Sequence, residues 1–443
     1  MRIDYLVSEI GSTTTVTTGF KLNKSSIEII GQGKSYTTVQ EGDVNIGLRK
    51  SIEDLESQIG ECIIWNRMLA ASSAAGGLKI TVHGLVEDMT VKAAKEAALG
   101  AGGNIKLVTA GKLRSSDIKR IKQIEPNLIM IAGGTDFGER ETALYNSKVL
   151  SREMLNKPIV YCGNSANHEE VRELFKGQEL YIVDNVYPKI DELNVEPSRK
   201  IIQKAFENNI TRAPGMNQIK DMVNGTIMPT PGAVMESAKL LHEILGDVLV
   251  LDVGGATTDV HSVTEGSSEI LDILISPEPV AKRTVEGDLG VYVNSGNIID
   301  LLDLRDLKSV NKQFITDNIK AIPSTKQEID CSLILTKKAL EIALNRHVGY
   351  LKRNYGASKQ IVAYGKDLSK IKYIIGTGGA LTRLPDGQKL LREIRYNKED
   401  LTMLPRASAE VFLDRNYIMA CAGVLSKENK AAALILLRQS LGI

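Results

Sequence analysis

Along the chain, apolar positions fall first into short runs and later into runs separated by segments of helical spacing. Tyr5 to Glu9 and Thr14 to Leu22 read as short strands and Ser26 to Ile30 as the start of a third, with breaks at Gly11-Ser12 and at Asn23-Lys24-Ser25. Residues 45–59 carry Ile46, Leu48, Ile52, Leu55 and Ile59, a spacing that predicts an amphipathic helix. Between 77 and 190 the rhythm changes. LKITVHG, IKLVTAG, NLIMIAGG, KPIVYCG and ELYIVDN read as strands, and TVKAAKEAALGAG, SSDIKRIKQI, RETALYNSKVL and HEEVRELF as helices between them. This alternation predicts a parallel, doubly wound sheet. No G-x-G-x-x-G follows its first strand, so the region lacks the dinucleotide fingerprint and its ligand is not legible.

Proline and glycine punctuate residues 214–232, and a predicted helix, Ala233 to Leu245, follows. Residues 247–265 then restart the opening pattern of strand, glycine turn and Thr-rich strand. The expected division is a first domain over 1–245, with the α/β region at about 77–190 inside it, and a second over 246–443. Further helices are expected at 291–303, 326–352 and 427–441.

Composition narrows the classes of function. A chain of 443 residues, 43% hydrophobic and 25% charged, is expected to fold into two or three domains rather than stay disordered. With 55 basic and 54 acidic side chains it has no global pull toward nucleic acid or an anionic membrane, and neither is expected as a partner. Aromatic residues, at 5%, are too sparse for a base-stacking surface. The opening segment is too polar for a signal peptide and no apolar run reaches membrane-spanning length, so a cytoplasmic protein is expected. Cys62, Cys162, Cys331 and Cys421 are widely spaced, which fits a reducing compartment and argues against a zinc ribbon or a local iron–sulfur motif.

The most informative feature is an internal echo. Glu9-Ile10-Gly11-Ser12-Thr13-Thr14-Thr15 is matched half a chain later by Asp252-Val253-Gly254-Gly255-Ala256-Thr257-Thr258-Asp259. Each is a strand ending in a carboxylate, then glycine, then hydroxyl residues, then another strand. Glycine lets backbone approach an anion, successive N–H groups form an anion-binding concavity, and hydroxyls add donors. A carboxylate beside bound phosphate makes sense when Mg²⁺ lies between them, held through water, or when it orients a hydrolytic water. Two such turns facing each other would clamp a nucleoside triphosphate. A single such string is also a common hairpin; the second copy is what favours function. A third element, Ile374-Ile375-Gly376-Thr377-Gly378-Gly379-Ala380-Leu381-Thr382-Arg383, runs from a strand through a glycine turn into a predicted helix and would let a flat ligand lie on bare backbone.

This ordered set resembles the actin, sugar-kinase and heat-shock-chaperone ATPase superfamily. Glu9–Thr14 and Asp252–Asp259 resemble its two phosphate motifs, and Gly376–Arg383 its adenosine motif. Pro229–Ala233 and Ala420–Gly423 resemble its two connecting motifs, and Glu286–Gly290 a loop near the nucleoside. EIGSTTT, DVGGATTD and RTVEGDLG most resemble the glutamate mutase accessory family, called MutL and unrelated to mismatch repair, with close relatives associated with ornithine aminomutase. The resemblance implies a two-domain actin-like, ribonuclease H-like α/β fold with an inserted α/β region. It implies ATP and Mg²⁺ as cofactors and an adenosylcobalamin-dependent mutase, glutamate mutase or ornithine aminomutase, as partner. The implied activity is reactivation of that mutase, with ATP binding and slow hydrolysis driving domain movement and release of damaged cobalamin. A small-molecule kinase, an electron-passing activator and an actin-like filament are the alternatives on this scaffold.

By the same resemblance, Gly11, Ser12, Thr13 and Thr14 contact the β- and γ-phosphates, and Gly254, Gly255, Ala256 and Thr257 hold the opposite side. Asp252 is the first choice for positioning water or contacting the metal through water. Glu9 is second, and stands where most of the superfamily has Asp. Asp259 is third, since it equally fixes its own turn. Gly376, Gly378 and Gly379 face the adenosine. Gly290 fits the nucleoside loop or a simple turn alike, and Arg383 fits the site or a surface charge alike. Thr15, Thr17 and Thr18 read as β-formers and His261 as structural.

Overall fold

A computed structural model describes residues 1–443 except 24–25, 39–41, 75–77, 102, 154, 211–215, 226, 308–309, 354–360 and 394–400. Strands β1 (Arg2–Ile10), β2 (Thr14–Asn23) and β3 (Ser26–Tyr36) form an antiparallel meander, the third strand starting where expected and running on to Tyr36. The helix Val44–Ile59 follows, its first turn capped by the Asp43 carboxylate, which accepts from the Asn45 N–H. It lies close on β3, because Gly33 has no side chain: a Cβ there would fall 1.9 Å from the Ser51 carbonyl oxygen. Strand β4 (Ile64–Ser72) then pairs parallel to β1.

The chain next builds a different sheet from β5 (Leu78–Gly84), β6 (Gly103–Ala110), β7 (Leu128–Ile131), β8 (Ile159–Tyr161) and β9 (Leu180–Ile182). All pairings are parallel and the order is β6–β5–β7–β8–β9, the doubly wound arrangement that the alternating pattern predicts. All four residues of β7 are buried, as expected of a strand covered on both faces.

The opening topology then repeats. Strand β10 (Ile227–Pro229) completes the first sheet beside β4, and the helix Thr230–Leu245 leads to β11 (Val248–Val253), β12 (Thr258–Val263) and β13 (Ala281–Glu286). After the helix Lys326–His347 come a hairpin, β14 (Tyr350–Arg353) with β15 (Ile361–Tyr364), and then β16 (Tyr373–Thr377) and β17 (Glu410–Leu413). The two mixed sheets read β3–β2–β1–β4–β10 and β13–β12–β11–β16–β17. Strand for strand they match, including the two antiparallel and two parallel pairings. This duplicated ribonuclease H-like sheet is the actin-like ATPase fold.

Between the two sheets lies a core built largely from the helices Thr230–Leu245, Met419–Leu425 and Lys430–Leu441. The two connecting motifs meet here backbone to backbone: a Cβ on Gly423 would fall 1.8 Å from the Ala233 carbonyl oxygen. By its contacts the chain forms two compact units, one of residues 1–74, 214–275 and 280–443, the other of 75–213 with 276–279.

Some expected helices are shorter. Residues 291–303 hold only the helix Ser295–Asp300; Val291, Tyr292 and Val293 lie outside it, drawn against the second turn with their N–H groups on the Gly254 and Gly255 carbonyls. The helix expected over 326–352 ends at His347, and Gly349 packs so closely on Tyr364 that the chain turns into β14. The last helix starts at Lys430, where the Asn429 side chain accepts from the Ala432 N–H.

Candidate nucleotide site

The two echoed strings fold into matching turns. After β1, the Gly11 N–H donates to the Thr14 carbonyl at 3.0 Å; after β11, the Gly254 N–H donates to the Thr257 carbonyl at 2.9 Å. The turns face each other: a Cβ on Gly255 would lie 2.8 Å from Thr13 Oγ1. Together they line a cavity of about 280 Å³, which also takes in Glu9, Asp252, Asp259, Gly378, Gly379, Arg383 and Tyr417. Of the residues singled out from sequence, Gly11, Ser12, Thr13, Thr14, Gly254, Gly255, Ala256 and Thr257 all reach this cavity.

Gly290 and Gly376 are not among the lining residues. Gly290 instead backs the second turn, where a Cβ would fall 2.4 Å from the Ala256 carbonyl carbon. The segment it opens holds that turn by its carbonyls: Val291 and Tyr292 donate to Gly254 and Gly255 at 3.2 and 2.9 Å, and Asn294 Nδ2 to Ala256 at 2.9 Å. Gly376 is buried against Leu391, Leu413 and Leu381, so it serves packing behind the third turn. Gly378 is the closest-fitting glycine of that turn. Its φ is +85°, and a Cβ would fall 2.5 Å from the Asp252 carboxylate and 2.4 Å from the Val253 carbonyl.

Carboxylates dominate the floor. Glu9 and Asp252 occupy equivalent places in the two sheets, opposite Val16 and Asp259 across their hairpins. Burial pushes the Glu9 carboxyl up to about 7, against the opposing effect of the Tyr417 hydroxyl, which donates to it at 3.0 Å. Burial, then the Asp259 and Glu9 charges, push Asp252 well above the usual carboxylate range. Asp259 has a cation of its own: Arg283 Nη2 donates to it at 2.8 Å, with the two side chains 1% and 4% exposed. Asp259 also accepts from Thr257 Oγ1 at 3.2 Å, so it both fixes its own turn and lines the cavity.

Sequence reasoning missed Tyr417, Arg283 and Asp414. Asp414 is fully buried at the end of β17, and accepts from Thr377 Oγ1, from Ser440 Oγ and from the N–H groups of Ile418 and Met419. Arg383 belongs to the site: its guanidinium lies 5.1 Å from the Tyr417 ring centroid and donates to Gln32 Oε1 at 2.6 Å. Thr15, Thr17 and Thr18 are buried within β2, away from the cavity lining, as β-formers should be. His261 is buried beside Arg283, which together with burial holds its pKa well below the usual value, and so keeps it neutral.

Comparison with known proteins follows the same lines. A family model described as MutL protein matches residues 5–441. The chain belongs to the MutL family. It is 35% identical to Protein MutL of Clostridium tetanomorphum over 463 aligned residues, covering 99% of each chain. The resemblance drawn from EIGSTTT and DVGGATTD, to the glutamate mutase accessory family of that name, is therefore borne out. Among solved structures it is similar to nucleotide-free acetone carboxylase (13% identity, TM-score 0.41, 96% of this chain and 70% of that one). It is also similar to diol dehydratase-reactivating factor (11%, 0.36, 97% and 100%) and to component A of the Acidaminococcus fermentans (R)-2-hydroxyglutaryl-CoA dehydratase (10%, 0.32, 99% and 99%). Among the described residues no helix of this chain is long and apolar enough to cross a membrane.

Proposed function

We propose that this MutL-family protein binds MgATP between its two glycine turns, hydrolyses it slowly, and uses the cycle to reactivate an adenosylcobalamin-dependent mutase in the cytoplasm. The observation that carries the reading is the pair of matching turns set face to face over the carboxylates Glu9 and Asp252. Gly11 to Thr14 and Gly254 to Thr257 bind the phosphates from opposite sides. Gly378 and Gly379 present bare backbone to the nucleoside.

The donor set fits Mg²⁺. Glu9 and Asp252 end equivalent strands and both line the cavity, so two hard oxygen donors stand beside the phosphate turns, where burial disfavours their charged forms and a cation would offset that cost. Among the described residues no three His, Cys, Asp or Glu side chains form a cage of their own, so Glu9 and Asp252 would hold the ion through water, beside the phosphates. When bound, the ion supplies charge neutralisation at the phosphate oxygens. Asp252 then holds the attacking water, kept in place by Gly378 behind it. Asp259, paired with Arg283, keeps the second turn closed. Binding across the two turns moves the two halves of the chain, and that movement is what the client enzyme feels. The client we propose is glutamate mutase or ornithine aminomutase.

The test has two stages. Isothermal titration should find MgATP binding that is lost in Asp252→Asn combined with Gly255→Val; retention in that variant sinks the site. Affinity capture from an anaerobic lysate, with and without MgATP, should recover a cobalamin mutase whose inactivated form regains turnover on adding the protein, MgATP and fresh cofactor. Phosphorylation of a metabolite in place of that rescue would identify a small-molecule kinase.

A further inference from the structure

Glu9 carries one methylene more than Asp252, its counterpart in the second sheet, and a longer side chain needs a second anchor to hold one orientation. The structure supplies one. Tyr417 donates its hydroxyl to Glu9 Oε1 at 3.0 Å, and Arg383 covers the tyrosine ring at 5.1 Å while fixed to Gln32 at 2.6 Å. The tyrosine is not there by default. Its φ is +51°, a left-handed conformation that a bulky side chain rarely adopts, and its N–H donates to the Asp414 carbonyl at 2.9 Å. The Asp414 carboxylate in turn accepts from Ile418, Met419, Ser440 and Thr377, the last being the residue that leads into the third glycine turn. A strained residue held by the backbone carbonyl of Asp414, whose own carboxylate is buried and saturated, with its hydroxyl aimed at Glu9, is a built support.

We propose that Tyr417 is the positioning residue for Glu9, fixing one carboxylate oxygen so that the other faces the phosphates. This rests on the reading of the cavity as an ATP site. Tyr417→Phe keeps the ring under Arg383 and removes only the hydroxyl. Its turnover of MgATP should fall about tenfold, the worth of one hydrogen bond to a charged group, while the affinity for MgATP changes less than about twofold. In Glu9→Asp the carboxylate no longer reaches the hydroxyl, so adding Tyr417→Phe should change turnover by less than about twofold. Equal losses in both backgrounds, or unchanged turnover in Tyr417→Phe, would overturn the proposal.

A second measurement does not depend on hydrolysis or on Tyr417→Phe folding. In protein carrying isotope-labelled tyrosine rings, Glu9→Gln should move one tyrosine hydroxyl-carbon resonance. If none moves, the support is absent even in an active ATPase. If one moves in a protein that neither binds nor hydrolyses MgATP, the contact stands and it is the ATP reading that falls.

Discussion

The turn after β1 and the turn after β11 carry the same internal hydrogen bond, yet different groups brace them. The second is held largely by backbone: Val291 and Tyr292 take its carbonyls, Gly290 packs behind it, and a buried arginine compensates Asp259. The first has backbone braces as well, the Thr37 and Ser73 N–H groups donating to the Thr13 and Ile10 carbonyls at 2.9 Å each, but it adds side chains from elsewhere in the chain: Ser12 Oγ donates to the Ser73 carbonyl at 3.1 Å and Tyr417 to Glu9. Duplication has kept the geometry of the backbone and let the supports diverge. A glycine turn is defined by a few local dihedrals, whereas its supports come from whichever distant segment the fold brings near.

The sharpest break of this comparison is Arg283→Met. It leaves Asp259 buried without its partner and should cost about 3–5 kcal/mol of stability, read from the denaturant midpoint. Replacing both, as Arg283→Met with Asp259→Leu, should restore most of that loss. If the single variant is as stable as the parent, the second turn is not held by this pair. Next is Gly378→Ala. The left-handed φ and the 2.5 Å approach to Asp252 predict a strain of about 1–3 kcal/mol, and with Asp252 displaced, MgATP affinity should weaken at least about tenfold. Unchanged affinity would detach the third turn from the site.

The carboxylate floor also predicts a pH effect. The Glu9 carboxyl titrates near 7 in the folded chain, well above its ordinary value, so between those limits the folded state binds more protons than the unfolded one. Its contribution to stability is therefore full at low pH and is lost as pH rises through about 7. Buried His83, His261 and His347, held neutral, act in the opposite sense below their ordinary value of 6.5. The difference between wild type and Glu9→Gln isolates the carboxylate. Thermal midpoints should converge below about pH 5 and separate toward about pH 8, with wild type the less stable, and saturating MgATP should shrink the gap. A gap that does not depend on pH would place Glu9 in an ordinary environment.

What was legible in the sequence follows from the same contrast. The two turns could be read because carboxylate, glycine and hydroxyl residues sit within eight positions of one another, and the doubly wound sheet because apolar runs of strand length alternate with helical spacing. Arg283 stood inside the RTVEGDLG string without declaring its target, since its pairing with Asp259 depends on β13 lying against β12. Tyr417 reaches Glu9 across some four hundred residues, a distance that no local pattern spans. The helix expected at 291–303 shortened for a related reason: its apolar residues suit a helix, but Val291 to Val293 are drawn against the distant second turn, where they bond the Gly254 and Gly255 carbonyls.

The finest test concerns the Thr-rich strand after the first turn. Thr17 Oγ1 lies 3.0 Å from Ser8 Oγ and 2.7 Å from Ser51 Oγ, all three buried. In the second sheet the matching positions, counted from Glu9 and Asp252, hold Val260 and Leu251, so there the same strands meet through apolar contact. Thr17→Val makes the first hairpin resemble the second at one point. It takes away the Thr17 partner of the Ser8 hydroxyl and leaves Ser51 donating to the Leu48 carbonyl at 2.7 Å. The expected loss is about 1 kcal/mol of stability, with MgATP turnover unchanged, because Thr17 lies outside the cavity lining. If turnover falls while the fold holds, the hydroxyls of this strand take part in the site, and the boundary proposed between Ser12 to Thr14 at the phosphates and Thr15, Thr17 and Thr18 in the strand must move. If instead stability is unchanged, the polar strand is a tolerated variant of the apolar one, and the two halves differ less in their packing than in the supports of their turns.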